Sequence, residues 1–312
     1  MGRLSGRQDE GVTTTERGDG TITRWLSTTQ PEALFVLSAV AQYVGAAIAV
    51  VLFDRVEPQT VAWLRIIGAA VALLAVSRGW RQGWTRQQLV GVAAFGVATS
   101  LMNIFFYLAI NRIDLGKSVT IEFLGPIAVA AATTRSGRNA VALAFAVVGV
   151  AVLGGVEIAE NLVGLVYILI ASALWATYIV IGSRVARVDR GVAGLGLGLA
   201  IGAVVTIPFG APWSGPVWVS PALLAACLLV GVFSNAIGYG IDQFTMRRIP
   251  IRRFSLLLAL LPVTASFIGF VALDQRPSAI DLVGIALVLV GVAVQERDEI
   301  ARVEAAVLTD PA

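Results

Sequence analysis

The chain has 312 residues, of which 57% are hydrophobic and 14% charged, and its mean hydropathy is +0.82. Soluble domains carry about 25% charged residues, so this composition excludes an ordinary soluble protein and predicts a polytopic membrane protein. The sequence has no histidine and one cysteine, Cys227, which excludes internal disulfides and zinc sites built on His or several Cys, and neither a cofactor nor a nucleic-acid partner is expected.

The chain divides into polar ends and a long apolar middle. Residues 1–30 are polar and lack an apolar core, which predicts a disordered cytoplasmic tail and not a signal peptide. Residues 297–312 are predicted to be a second cytoplasmic tail. Ten apolar runs of about span length lie between them and predict an all-α integral membrane protein. The runs are 33–53, 59–77, 87–110, 115–134, 139–156, 162–182, 192–209, 221–245, 252–273 and 279–295.

Basic residues indicate the orientation of these ten spans. They concentrate on alternate loops, for example at Arg78 and Arg81 after span two and at Arg247 and Arg248 after span eight. Because loops rich in Lys and Arg stay in the cytoplasm, this bias predicts that both termini are cytoplasmic. We expect a multi-pass protein of the cell (inner) membrane whose partner is the lipid bilayer.

The two halves of the chain resemble each other. Residues 111–126 align without gaps on 247–262, which places Pro126 and Pro262 at the same point of spans four and nine. Since each half has five spans, the second copy must be inverted relative to the first. The prediction is two repeats, 31–158 and 159–296, with Gly125, Pro126 and Pro262 as structural hinges. Inverted repeats with interrupted helices are typical of alternating-access transporters.

One acid lies deep in an apolar run. A charged side chain at the centre of a span costs about 2.5–3.5 kcal/mol, so Glu122 is predicted to face a partner or a hydrated cavity and to act in proton coupling. Asp242 is a second candidate for coupling, although it could instead pair with nearby arginines. Arg65 lies at a depth similar to that of Glu122 and is interpreted as a structural charge that could meet it.

Polar and aromatic residues form stripes at helical spacing on spans one, three, four, six, eight and nine, which are therefore expected to surround a polar cavity. Spans two, five, seven and ten lack such stripes and are expected outside it. The alternative for each polar residue is a hydrogen bond to its own helix or a neighbouring one. The predicted substrate-binding residues are Gln42, Asn103, Tyr107, Glu122, Trp175, Tyr178, Asn235, Tyr239 and Ser255.

The segment around Glu122 resembles the threonine and homoserine exporter branch of the drug/metabolite transporter superfamily, which is built from two EamA domains. The branch pattern is matched by Asn103, by the runs 106–108 and 115–116, and by Glu122-Phe123 with Gly125-Pro126. The stretch 173–184 and the run 239–250 are also similar, and the resemblance covers 30–296. The chain departs from the branch at Leu261-Pro262, where the branch has Glu-Pro, and at Asp274-Gln275, where many members have Gly-Glu.

The resemblance implies a secondary transporter that exports small amino acids, with proton exchange as the driving reaction. No enzyme activity is expected, because the sequence has no histidine, no Gly-x-Ser-x-Gly motif and only short loops. In this hypothesis the substrate ammonium group pairs with Glu122, and the substrate carboxylate finds donors such as Asn103, Tyr107 or Gln42. Two alternatives remain open: an exporter of another metabolite or drug-like compound, aromatic or cationic, and a passive channel or non-transporting membrane protein. A homodimer is an open assembly state.

Overall fold

The computed structural model describes residues 29–133, 137–185, 191–238, 241, 257 and 260–309. In these ranges every regular element is helical, which confirms the predicted helical class. The main helices are α1 (Pro31–Leu52), α2 (Pro58–Ser77), α3 (Arg86–Ile110), α4 (Leu115–Glu122), α5 (Leu124–Thr133), α6 (Gly137–Glu160), α7 (Leu162–Val185), α8 (Gly191–Val205), α9 (Pro221–Gly231), α10 (Leu260–Leu273) and α11 (Ala279–Thr309). A π-helical stretch, Val232–Ile237, continues α9 and is called the π segment below.

Five helices of the described ranges are long and apolar enough to cross a membrane: α1, α2, α3, α6 and α7. A sixth candidate is α8 together with the turns Ile207–Trp213, which bend away from it by 54°. Shorter apolar helices, Pro221–Ile237, Leu260–Leu273 and Ala279–Val294, occupy the positions of predicted spans eight, nine and ten. The count of ten spans therefore stays a prediction.

Local sequence signals explain where several helices begin. Proline occupies the first positions of α1, α2 and α9, where its missing N–H has no helical partner to lose. At α3, the Thr85 hydroxyl accepts from the Gln88 amide while the Gln88 side chain accepts from the Thr85 amide, which is a capping box. The bounds of α1, α2 and α3 agree with predicted spans one to three to within two residues, and α9 begins at the predicted start of span eight.

Predicted span four is broken into two helices. The break lies at Phe123, immediately after Glu122, and not at the predicted hinge residues Gly125 and Pro126. Pro126 explains the break, because it has no N–H to donate to the carbonyl of Glu122 four residues earlier. Gly125 serves another purpose, since a Cβ atom there would collide with the backbone carbonyl of Ser172 on α7.

The helices pack in a definite set of neighbours. Helix α3 lies against α7 and α8, while α2 lies against α8 and α9. Helix α10 packs on both α1 and α4, α1 also contacts the π segment, and α6 packs along α11. Helix α2, which the sequence predicts to lie outside the polar cavity, buries twelve residues, among them Thr60 and Arg65.

Large apolar side chains also remain exposed on helix surfaces, for example Val263, Phe267 and Phe270 of α10. Such a surface suits a hydrocarbon environment. At the C-terminal end, α11 runs without interruption to Thr309, so residues 297–309 of the predicted tail are helical. Their many Ala, Glu, Arg and Leu residues favour a helix. The predicted N-terminal tail up to residue 28 lies outside the described residues.

Candidate functional site

Glu122 is the last residue of α4, a helix in which every residue is buried. Its side chain is 7% exposed, and its Oε1 atom accepts no hydrogen bond from any part of the chain that the structure describes. The next residue, Phe123, packs edge-on against the Trp175 ring of α7, with centroids 5.0 Å apart. A buried carboxylate without a partner is costly, so its position at a helix break beside aromatic rings calls for a functional explanation.

A second buried charge, Arg65, lies in the middle of α2 and is 5% exposed. Its Nε donates to the Ser234 hydroxyl at 2.9 Å, and its Cζ lies 4.8 Å from the centroid of the Tyr107 ring. Within the described ranges its two terminal nitrogens donate to no other group. Arg65 acts electrostatically on Glu122, yet the two side chains form no direct ion pair.

The π segment supplies two fully buried polar residues in succession, Ser234 and Asn235. The Ser234 hydroxyl donates to the carbonyl of Val230 and accepts from Arg65, so it is used both as a hydrogen-bond donor and as an acceptor. Neither amide atom of Asn235 has a hydrogen-bond partner among the described residues. Because π-helical turns are frequently found at functional sites, Asn235 is a strong candidate for binding a ligand.

The described aromatic residues of the predicted site lie on two neighbouring helices, α3 and α7. Tyr107 is fully buried, and its ring meets Phe53 edge-on at 5.8 Å in addition to the Arg65 contact already described. Tyr178 stacks at a tilt on Phe95, with centroids 4.6 Å apart. Trp175 and Tyr178 are half-buried on α7, so the two rings differ from Tyr107 in remaining partly accessible.

Two predicted binding residues have local partners instead. The Asn103 amide donates to the Thr99 carbonyl of its own helix at 2.8 Å, as the alternative interpretation expected. The Gln42 amide donates to the Ser38 hydroxyl at 3.0 Å, and Ser38 donates onward to the carbonyl of Gly238. Pro262 lies near the start of α10. Tyr239, Asp242 and Ser255 lie outside the described residues.

Two polar contacts were not foreseen from the sequence. One is the hydrogen bond from Arg65 to Ser234, a residue that does not belong to the polar stripe predicted on span eight. Lys117 is buried on α4, 3.7 Å from a carboxylate oxygen of Asp114 and 3.8 Å from one of Asp281. Asp281 itself caps α11 by accepting from the Ser278 amide at 2.8 Å. No group of three or more His, Cys, Asp or Glu residues suited to a metal ion occurs in the described part of the chain.

Known proteins resemble this chain over most of its length. The model of the EamA-like transporter family matches residues 162–295. The threonine/homoserine exporter RhtA of Escherichia coli (strain K12) is 31% identical over 248 residues, which is 78% of this chain and 84% of that protein. The protein of the same name from Salmonella typhimurium (strain SL1344) is 29% identical over 270 residues, which is 86% of this chain and 91% of that protein.

A crystal structure of another protein has the same fold, with a TM-score of 0.57 at 20% identity, and the match covers 85% of this chain and 98% of that one. The related proteins are named as exporters and not as enzymes. Together with the apolar helices α1, α2, α3, α6 and α7, these relationships make the chain an integral membrane protein. The protein belongs to the EamA-like transporter family.

Proposed function

We propose that the protein exports small amino acids of the threonine and homoserine type across the cell (inner) membrane in exchange for protons, with Glu122 as the coupling acid. The observation that carries this proposal is the buried Glu122 carboxylate without a hydrogen-bond partner at Oε1, placed at a helix break and close to Arg65. The names of the relatives support the substrate class, because both are threonine/homoserine exporters.

The physical reason for coupling is that a charged carboxylate in a low-dielectric interior needs compensation. Two groups can supply it: a proton bound to Glu122 itself, or the ammonium group of a bound amino acid. If the two are mutually exclusive, the binding site changes from one side of the membrane to the other with either a proton or a substrate bound. The protein thereby exchanges substrate for a proton. Asp242, which lies outside the described residues, is proposed as a second coupling acid.

Alternating access requires two bodies that move against each other, and we assign them to the inverted repeats 31–158 and 159–296. The pairing of helices supports this assignment. In the proposed repeat, α1 corresponds to α7, α2 to α8, and α3 to α9 with the π segment. The α3–α7 contact then corresponds to the contact of α1 with the π segment, and the α3–α8 contact corresponds to the α2–α9 contact. The pairs α2–α8, α6–α11 and α4–α10 map onto themselves. Ten spans and cytoplasmic termini complete the proposed topology.

The substrate site is proposed to include Asn235, Tyr107 and the half-buried rings of α7, in addition to Glu122. Gln42 and Asn103 are proposed to line the site beside these residues. The break at Phe123 allows α5 to tilt relative to α4, and Pro126 is proposed to permit this motion. Gly125, which also packs closely on α7, and Pro262, at the matching point of the second repeat, are proposed as further hinge residues. A homodimer is compatible with the proposal but not required by it.

A second candidate function is export of aromatic or cationic compounds. The observation that favours it is the edge-on packing of Trp175 on Phe123, which places an aromatic surface next to the acid. Aromatic faces attract organic cations. Proton-driven accumulation of an aromatic amine, without accumulation of threonine or homoserine, would select this alternative.

The proposed function is tested in liposomes that contain the purified protein. An outward-directed proton gradient is expected to drive accumulation of radiolabelled threonine in the lumen. The variant Glu122→Gln is expected to abolish this accumulation while still eluting as a single species in gel filtration. The matched control is Glu160→Gln, at the exposed end of α6, which is expected to behave like the wild type. Full proton-driven accumulation by Glu122→Gln would refute the coupling role.

A further inference from the structure

We propose that Arg65 binds the carboxylate of the substrate while Glu122 binds its ammonium group, so that a zwitterion bridges two buried and opposite charges. This inference rests on the proposed function, because it takes an amino acid as the substrate. It replaces the structural role that sequence reasoning assigned to Arg65. It also replaces the neutral donors Asn103, Tyr107 and Gln42 as the main partners of the substrate carboxylate.

The first argument is the balance of charge. Arg65 and Glu122 are both more than nine-tenths buried, with 5% and 7% of their surface exposed. Among the described residues neither of them has an ion-pair partner, although they lie within electrostatic range of each other. Burial of separated charges without direct pairing is costly. A ligand that carries one charge of each sign and fits between them would compensate both at once.

The second argument is the way in which Arg65 is held. Ser234 accepts from Nε, and the Tyr107 ring lies 4.8 Å from Cζ. These contacts fix the plane of the guanidinium group and leave its two terminal nitrogens without a partner in the described part of the chain. A guanidinium group held in this way can donate two parallel hydrogen bonds to a carboxylate. Ser234 is therefore a positioning residue.

The third argument is the rigidity of the backbone beneath the side chain. A Cβ atom at Gly231 would collide with the backbone carbonyl of Arg65, so the backbones of α2 and α9 lie close together at this arginine. Gly68 makes a similar close approach to the carbonyl of Leu228 one turn further along α2. Binding groups on rigid, closely packed helices hold their geometry better than groups on loops.

The main rival is that Arg65 acts only as the counter-charge of Glu122 and never touches the substrate. The two roles differ in what they predict for a ligand without a carboxylate. If Arg65 acts through Glu122 alone, its replacement changes the binding of every ammonium ligand to the same degree. If Arg65 binds the carboxylate, its replacement changes only ligands that carry one.

The experiment titrates L-threonine and L-threoninamide against the purified full-length protein and follows the ligand-induced rise in Tm by tryptophan fluorescence. Threoninamide keeps the ammonium group and lacks the carboxylate. We expect the wild type to prefer threonine by at least about 30-fold, since leaving one partner of a buried charge pair empty has an effect of this size. Arg65→Gln is expected to lower the affinity for threonine by a similar factor and to leave the affinity for threoninamide within about threefold of the wild-type value.

Arg65→Lys covers the case in which Arg65→Gln does not assemble. Lysine keeps the charge but loses the planar fork, so threonine is expected to bind about tenfold more weakly and threoninamide unchanged. The control Arg112→Gln changes an exposed arginine and is expected to alter neither ligand. A variant of Arg65 that weakens both ligands equally, or neither, overturns the inference alone. If the wild type transports and binds no small amino acid, the proposed function falls as well.

Discussion

The Ser234 hydroxyl accepts a hydrogen bond from Arg65 Nε at 2.9 Å and thereby joins the middle of α2 to the π segment, 169 residues further along the chain. This bond connects the first predicted repeat with the second at the level of a buried charge. The Ser234 hydroxyl in turn donates a hydrogen bond to the carbonyl of Val230, so Arg65, Ser234 and Val230 form a short hydrogen-bonded chain. The strength of this connection can be measured.

The first prediction concerns Ser234→Ala, which removes the acceptor but keeps the Cβ atom that packs close to Gly45. Because the Arg65 Nε–H group then stays buried without an acceptor, we expect the free energy of unfolding to fall by about 1–3 kcal/mol. Thermal unfolding in detergent checks it. In the control Ser266→Ala, the one hydrogen bond that the lost hydroxyl makes among the described residues is to a carbonyl of its own helix, Pro262, so the loss of stability should be smaller. Equal effects of the two substitutions would contradict the prediction.

The second prediction concerns the close approach of Gly125 to α7. In Gly125→Ala, the new methyl group collides with the backbone carbonyl of Ser172, which cannot rotate away. We expect a loss of about 1–3 kcal/mol in stability, or failure to assemble, because the helices must separate. Gly155→Ala is the matched control, since nothing lies within 4 Å of a Cβ atom there. Yield and Tm of the purified proteins decide the comparison, and a well-assembled Gly125→Ala of unchanged Tm would refute it.

The third prediction concerns the ion pairs of Lys117. Lys117→Met leaves Asp281, which is 3% exposed, as a buried acid without its cation, and we expect a loss of about 1–3 kcal/mol. Adding Asp281→Asn to Lys117→Met should recover part of that loss, which a double-mutant cycle in thermal unfolding measures. The control is Arg276→Met, which breaks a pair whose side chains are 77% and 81% exposed. That exposed pair is worth at most about 1 kcal/mol.

The fourth prediction concerns Asn235, whose amide has no partner among the described residues. Asn235→Leu removes no hydrogen bond from that part of the structure, so we expect the Tm of the ligand-free protein to stay the same or rise. If the amide binds substrate, the affinity for threonine should fall about tenfold or more. Titration with the ligand and the unfolding of the free protein separate the two effects. A lower Tm with unchanged affinity would assign Asn235 to the fold.

Much of this arrangement could be predicted from the sequence, because some signals are local. The apolar runs placed α1 and α2 within two residues, and the rarity of acids inside such runs drew attention to Glu122. The sequence placed the hinge at Gly125 and Pro126, whereas the helix breaks at Phe123. The reason is that Pro126 has no N–H to donate to the carbonyl four residues earlier, so its effect appears there.

The contacts that no local pattern could reveal are those between distant residues. Lys117 and Asp281 belong to different predicted repeats, and each by itself resembles an ordinary charge at the end of a span. Arg65 was assigned a structural role, since its span has no polar stripe and the Ser234 hydroxyl that fixes it comes from the other half of the chain. These pairings follow from tertiary packing, of α4 on α11 in the first case and of α2 on the π segment in the second.

The lone carboxylate at position 122 has an energetic consequence for the cell. In the proposed exchange, a zwitterion leaves without net charge while one proton enters, so each cycle moves a single positive charge inward. Export would then be electrogenic. A potential of 100 mV, negative inside, contributes about 2.3 kcal/mol for each charge, which corresponds to a concentration ratio of about 50 even when the pH is equal on both sides.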